Sequence, residues 1–289
     1  MSTQGLSLER LVSFLAIADQ GGISKAARFD PTRQSQLSRQ LSELEAYFGQ
    51  PLMERQGGRR VLNERGRRLA EHVRWMLRGL DDLKEGRAEA PPTFVLAAGD
   101  SALHWLVLPR IASVGATFEI VALPTEEVIG RLLDGSADLG IVRADEVRPD
   151  FHSRPLGSVE HALFFPKALA RGVAPEELVF ELPLALQVAD TDFRARLQEH
   201  AAKHRRVLNV ALRCESFPQV LRAVQSGRYA GLLPVWAGDD LKASQFGSVQ
   251  VAGRHASKLH LAWAKRLTDV RPRAKEIIDR LAQALRESP

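Results

Sequence analysis

A single cysteine, Cys214, leaves no partner for an intramolecular disulfide and excludes any multi-cysteine metal site. A chain with so little thiol chemistry fits a reducing cytoplasm. No run of about 18 apolar residues occurs, so no membrane span is expected. The opening segment Met1-Ser2-Thr3-Gln4-Gly5 lacks the basic and then apolar stretches of a signal peptide, so export is not expected. Also missing are a glycine-rich phosphate loop, a Ser-His-Asp order and a carboxylate pair. Without such a constellation neither enzyme chemistry nor a cofactor is expected.

At 289 residues the chain is long for one core, and two or three domains are expected. Its net charge of +5 gains meaning only when mapped along the chain. Between Gly22 and Arg68 stand ten basic and five acidic residues, an excess equal to that of the whole chain. A basic segment on a neutral body points to a reader of a polyanion carried by something else.

Within that segment the signals are local. Leu8, Leu11, Val12 and Leu15 recur at helical spacing, and Gly21-Gly22 ends that helix. Ser24 is expected to cap a short helix through Phe29, Asp30-Pro31 to stop it, and Thr32 to cap the next. In the third helix Leu37, Leu41, Leu44 and Phe48 make an apolar stripe. The opposite side holds Ser35, Arg39, Ser42 and Glu43, flanked by Gln36 and Ser38. Such a face suits a major groove, because Arg forks onto guanine, Gln pairs with adenine and Ser bonds to bases or phosphates. Gly57-Gly58 reads as a hairpin turn that places Arg59 and Arg60 against phosphate or the minor groove. Any small helical domain has a polar face; the hairpin and the localised charge are what favour DNA.

From Glu64 to Arg87 one long helix is expected. Leu69, Val73, Met76, Leu80 and Leu83 are spaced four, three, four, three, the seam of a coiled coil and a candidate dimer contact. The alternative is that the seam packs on the first helix of its own chain. Pro91-Pro92 marks a linker. Beyond Thr93 strands alternate with helices: 94–98, 118–123, 139–142, then 162–165, 184–188, 207–211, 230–233 and 259–264 are the strands, with a closing helix over 271–286. Repeated strand and helix imply a parallel sheet in two similar halves, with a ligand cleft at the strand carboxyl ends.

Taken together, Ser24-Lys25-Ala26-Ala27, Gln34-Ser35-Gln36-Leu37-Ser38-Arg39, Leu44-Glu45, Pro51-Leu52-Met53-Glu54-Arg55 and Asn63-Glu64-Arg65-Gly66 resemble the N-terminal pattern of LysR-type transcriptional regulators. Leu132-Leu133-Asp134-Gly135-Ser136-Ala137-Asp138-Leu139-Gly140-Ile141 and the stretch from Gly227 to Pro234 resemble that family's later signatures. The resemblance implies an α/β chain with a winged helix-turn-helix (1–66), a dimerising linker helix and hinge (67–92) and a two-subdomain effector domain similar to periplasmic binding proteins (93–289). Its subdomains would be about 93–160 with 266–289, and about 161–265. Implied partners are double-stranded DNA, a small-molecule effector, further copies as a homodimer or homotetramer, and RNA polymerase.

The implied DNA contacts are Ser24, Thr32, Arg33, Gln34, Ser35, Gln36, Ser38, Arg39, Arg59 and Arg60. The implied effector contacts are Gly99, Asp100, Ser101, Thr125, Arg143, Ser216 and Phe217. Helix starts at Ser101, Thr125 and Ser216 would suit an anion, whereas Asp100, Glu126 and Glu127 would repel one, so the ligand's charge stays open. Each of these residues is equally readable as a helix cap. Arg33, Ser35, Gln36, Met53 and Asn63 depart from the family's usual residues and are expected to bear on the recognised sequence. His200 and His204 are expected on a solvated helix face, and Cys214 as a small buried hydrophobe. A regulator without effector response, or an enzyme on a solute-binding fold, are the rival readings.

Overall fold

The computed structural model describes residues 6–57, 59–84, 91–188, 191–251 and 256–286, without the side chains of 59, 82–84 and 191–194. Among the described residues no helix is long and apolar enough to cross a membrane.

The N-terminal part is built from α1 (Leu8–Gln20), α2 (Ile23–Ala26) and α3 (Pro31–Phe48). Ser7 caps α1, and Gly21 ends it in the left-handed conformation that glycine adopts without Cβ strain. The expected caps of the next two helices are corrected. Gly22 precedes α2, so Ser24 lies inside it with no capping role. Asp30 caps α3 by accepting from the Arg33 N–H at 2.9 Å, and Thr32 lies in the first turn. The Asp-Pro pair therefore starts a helix as well as closing one, because proline at the first helical position gives up an N–H that would be unpaired anyway.

Leu11, Phe14, Leu15 and Ile17 of α1 pack with Leu37, Leu41 and Leu44 of α3. Leu8, Val12 and Phe48, expected in the apolar stripes, are exposed at their margins. A hairpin follows, β1 (Met53–Gln56) against β2 (Arg59–Leu62), paired from Met53↔Leu62 to Gln56↔Arg59.

The long helix α4 (Glu64–Lys84) does not stand free of its own chain. Ala70 and Val73 enter the N-terminal core with Leu69 packed at its edge, while Trp75 enters the core of the following domain. The expected seam is thus divided. Leu69 and Val73 are held within the chain, whereas Met76 and Leu80 remain 39% and 41% exposed. The side chain of Leu83 lies outside the described residues.

The remaining chain forms one mixed sheet. Strands β3 (Thr93–Ala98), β4 (Thr117–Ala122) and β5 (Leu139–Arg143) run parallel, with α5 (Thr125–Leu133) between the last two. The stretch after β3 is not an ordinary helix but a wide turn over 102–107 followed by a short tight one, with Pro109 between them. Strand β6 (Phe151–Pro166) then runs for 16 residues, of which only the last few were expected. The second half holds α6 (Leu178–Glu181), β7 (Leu184–Gln187), α7 (Thr191–Lys203), β8 (Val210–Cys214), α8 (Phe217–Gln225) and β9 (Ala230–Pro234). Strand β8 starts three residues later than expected, leaving Val207 on the surface. Strands β10 (Phe246–Val249) and β11 (Ala256–Ala264), then α9 (Leu267–Val270) and α10 (Ala274–Arg286), complete the fold.

The strand order is β4-β3-β5-β11-β6-β9-β7-β8, with β10 on β6. Each half is parallel as expected, but β6 and β11 run antiparallel to their neighbours. These two strands carry the chain between the halves. The sheet is therefore mixed, a correction to the all-parallel expectation.

Candidate nucleic-acid interface and ligand cleft

The outer face of α3 carries Thr32, Arg33, Ser35, Gln36 and Arg39 in the open, with Gln34 and Ser38 half-buried. Ser24 is exposed on α2 and Arg60 on β2, while the Arg59 side chain lies outside the described residues. The Ser35 hydroxyl donates to the Pro31 carbonyl at 3.0 Å, a bond within the helix that a base would have to replace. Arg39 Nε donates to Glu43 Oε1 at 3.0 Å, and Arg10 Nη2 lies 2.6 Å from Glu43 Oε2. Hydrogen bonding from Arg39 is the largest influence holding the Glu43 carboxyl below its usual range; Arg10 adds to it, against a partial desolvation.

The hairpin is fixed from both sides. Glu45 Oε1 accepts from the Leu52 N–H at 2.8 Å, which ties it to α3. Asn63 Oδ1 accepts from the Gly66 N–H at 2.9 Å while its Nδ2 donates to the Pro51 carbonyl at 2.8 Å, which ties it to α4. Gly66 leaves the backbone room there, since a Cβ would stand 2.1 Å from the Leu52 carbonyl oxygen. Met53 is buried. Two of the expected determinants of sequence preference, Met53 and Asn63, thus hold the hairpin in place rather than face outward.

In the α/β part the expected cleft residues lie where β3, β4, β5 and β8 end. Only some of them meet. Asp100 Oδ2 accepts from the Phe217 N–H at 2.8 Å, across the two halves and at the first turn of α8. Ser216 caps that helix, its hydroxyl accepting from the Gln219 N–H at 3.4 Å. The Phe217 ring sits 5.5 Å from that of His161. Gly99 accepts from the Leu103 N–H through its carbonyl, Ser101 makes no capping bond, and Thr125 follows Pro124 as the first residue of α5. Arg143 is paired with Asp145 and Glu146 of its own loop.

A second bridge was not expected. Trp105, from the first half, is buried in the core of the second, and its Nε1 donates to Asp240 Oδ2 at 2.7 Å. Its aromatic character was visible in the sequence, its partner was not. Trp236 packs against the cores of both halves.

The junction between α4 and the α/β part was not foreseen either. Arg78 Nη1 donates to Asp138 Oδ1 at 2.6 Å and Nη2 to the Ser136 carbonyl at 3.1 Å. Asp138 is buried, accepts from the Val95 N–H at 2.8 Å, and has Arg271 Nη1 3.2 Å away. Arg74 binds Asp19 of α1 and the Asp134 carbonyl after α5, so one guanidinium touches all three parts of the chain. Beside it opens a cavity of about 1100 Å³ lined by residues of α4, α5 and the strand ends at Asp150 and Lys265.

His200 lies on α7 and His204 just past its end, with rings 4.3 Å apart and Phe180 stacked on His200. Among the described residues no group of three or more His, Cys, Asp or Glu is placed to hold a metal ion. Cys214 is buried, and burial raises its thiol pKa.

Comparison with known proteins agrees with this architecture. Residues 8–67 match the family model described as bacterial regulatory helix-turn-helix protein, lysR family. Residues 87–286 match the LysR substrate binding domain. The HTH-type transcriptional regulator DgdR of Burkholderia cepacia is 27% identical over 234 residues, covering 78% of this chain and 76% of that protein. Among solved structures, ArgP from Mycobacterium tuberculosis superposes with a TM-score of 0.71 at 16% identity, covering 96% of this chain and 97% of that one. Full-length LysG from Corynebacterium glutamicum with bound effector Arg gives 0.65 at 19%, covering 97% and 98%. At such identities the structures speak for the fold, and the two family matches for the family. The chain belongs to the LysR family of bacterial helix-turn-helix transcriptional regulators.

Proposed function

We propose that α3 enters the major groove of double-stranded DNA with the hairpin on the flanking phosphates, and that a small molecule in the cleft near Asp100 and Phe217 modulates the bound state. The parts are the DNA-binding unit 1–66, the linker 67–92 and the effector domain 93–289. The observation that carries this reading is a coincidence in space and sequence: the exposed hydrogen-bonding face of α3 and the Arg60 strand lie in the segment that holds the chain's whole excess of positive charge. Met76 and Leu80, left exposed on α4, are the contact with a second copy, in a homodimer or a homotetramer. Two such units read half-sites about 34 Å apart, or a multiple of that. The setting is the cytoplasm, where a regulator bound at a promoter also meets RNA polymerase.

Arg39→Ala tests the groove assignment. It should cost about 1–3 kcal/mol on the best duplex and relax selectivity at one base pair. Arg60→Ala should weaken all duplexes alike and lower the salt slope by about 1. If Arg39→Ala binds as tightly and selectively as the parent, the assignment is wrong.

One observation favours an effector-independent regulator as a second reading. The Asp100 carboxylate already satisfies the N–H at the start of α8. Thermal melting of the full chain against pooled metabolites separates the two, since a ligand at 100 times its Kd adds about 2.7 kcal/mol.

A further inference from the structure

Arg39 is an exposed cation of the reading face, its side chain 82% open to solvent, with a partner on its own helix. An arginine in that position ordinarily samples many rotamers, and ordering it at a base costs conformational entropy. Here Nε is already engaged by Glu43 one turn along the helix, at 3.0 Å. Glu43 is in turn anchored, because its other oxygen meets Arg10 of α1 at 2.6 Å. A second tie runs beside it, from Gln40 Nε2 to Glu9 Oε1 at 2.9 Å, so α1 acts as a fixed base for this side of α3.

The atom that Glu43 occupies matters. A guanidinium bound through Nε has its plane oriented yet keeps donors on both terminal nitrogens, and two parallel donors are what fork onto guanine O6 and N7. We propose that Glu43 is a positioning residue that presents Arg39 to a guanine, so that discrimination at one base pair depends on a carboxylate that itself touches no base. The proposal rests on the reading that α3 enters the major groove. Glu43 also sets a penalty on the wrong sites. Where no guanine meets Arg39, Glu43 still lowers the positive charge that the Arg39–Glu43–Arg10 cluster offers to a phosphate.

The test uses the purified full-length chain. A duplex is selected from a random library by the parent protein, and each of its guanines is then replaced in turn. Binding of parent, Arg39→Ala, Glu43→Gln and Glu43→Ala is measured on every duplex and on a non-specific one, by fluorescence anisotropy. Both Glu43 variants should lose discrimination by roughly 5-fold or more at one position, the lower end of what a forked arginine supplies. That position should be the one lost in Arg39→Ala. Non-specific binding should be unchanged or tighter, since a negative charge has been removed.

A carboxylate that only fastens α1 to α3 would act differently, weakening every duplex in proportion. Uniform weakening, or loss at a position other than that of Arg39, would overturn the proposal. If Arg39→Ala loses a guanine and the Glu43 variants do not, the proposal alone fails. If Arg39→Ala loses none, the groove assignment fails and takes the proposal with it.

Discussion

Asp138→Ala probes the joint between the linker helix and the effector domain. Asp138 is 1% exposed, accepts hydrogen bonds from Arg78 Nη1 at 2.6 Å and the Val95 N–H at 2.8 Å, and is ion-paired with Arg271 Nη1 at 3.2 Å. Arg271 is 2% exposed and lies over the Phe94 ring, 4.1 Å from its centre, so it cannot turn to water when the carboxylate goes. Its bond to the Thr93 carbonyl at 2.8 Å remains, while its ion pair with Asp138 is lost. Breaking a buried pair from one side costs about 3–5 kcal/mol, dominated by the charge left behind. Arg78→Met is the comparison. It removes a partner whose side chain is 22% exposed and leaves Asp138 with Arg271 and Val95, so it should cost about 1.5–3 kcal/mol. Urea unfolding followed by tryptophan fluorescence reads both, because Trp75 is buried in the adjoining core. An Asp138→Ala protein within about 1 kcal/mol of the parent would refute the reasoning, as would Arg78→Met costing more than Asp138→Ala.

Gly66→Ala reverses the usual sign for a helical glycine. Alanine normally stabilises a helix by about 0.8–1 kcal/mol, but a Cβ here would stand 2.1 Å from the Leu52 carbonyl oxygen, so a loss of about 1–3 kcal/mol or more is expected in thermal melts. Leu80→Glu should convert the assembly towards monomers in sedimentation, since Leu80 is exposed on α4; an unchanged assembly counts against that contact. His200 is held below its ordinary pKa of 6.5, first by burial and then by His204 and Lys203. The folded state therefore binds fewer protons there, and this contribution is complete above about pH 6.5 and lost as the pH falls. His200→Gln should flatten the fall in Tm between roughly pH 7 and 5, and an unchanged slope would show that this imidazole does not matter.

The amino-acid sequence by itself determined what depends on near neighbours along the chain. The stripe Leu37, Leu41 and Leu44 faces inward because it repeats at the helical period, which leaves Arg39 outward whatever α3 packs against. The start of α8 and the place of the hairpin turn were equally legible, from Ser216-Phe217 and from Gly57-Gly58. Caps were harder, since Asp30 and Thr32 both have a side-chain oxygen able to cap, and the backbone turn decides between them. Tertiary structure alone decided which groups meet across the chain. Arg78 and Asp138 stand 60 residues apart, Asp100 and Phe217 117, and Trp105 and Asp240 135. The heptad spacing on α4 is a fact of the sequence, yet spacing says only that residues share a side. Whether Val73 and Trp75 find their apolar surroundings in the same chain or a second copy depends on where the N-terminal helices and the mixed sheet stand in space, and no local period encodes that.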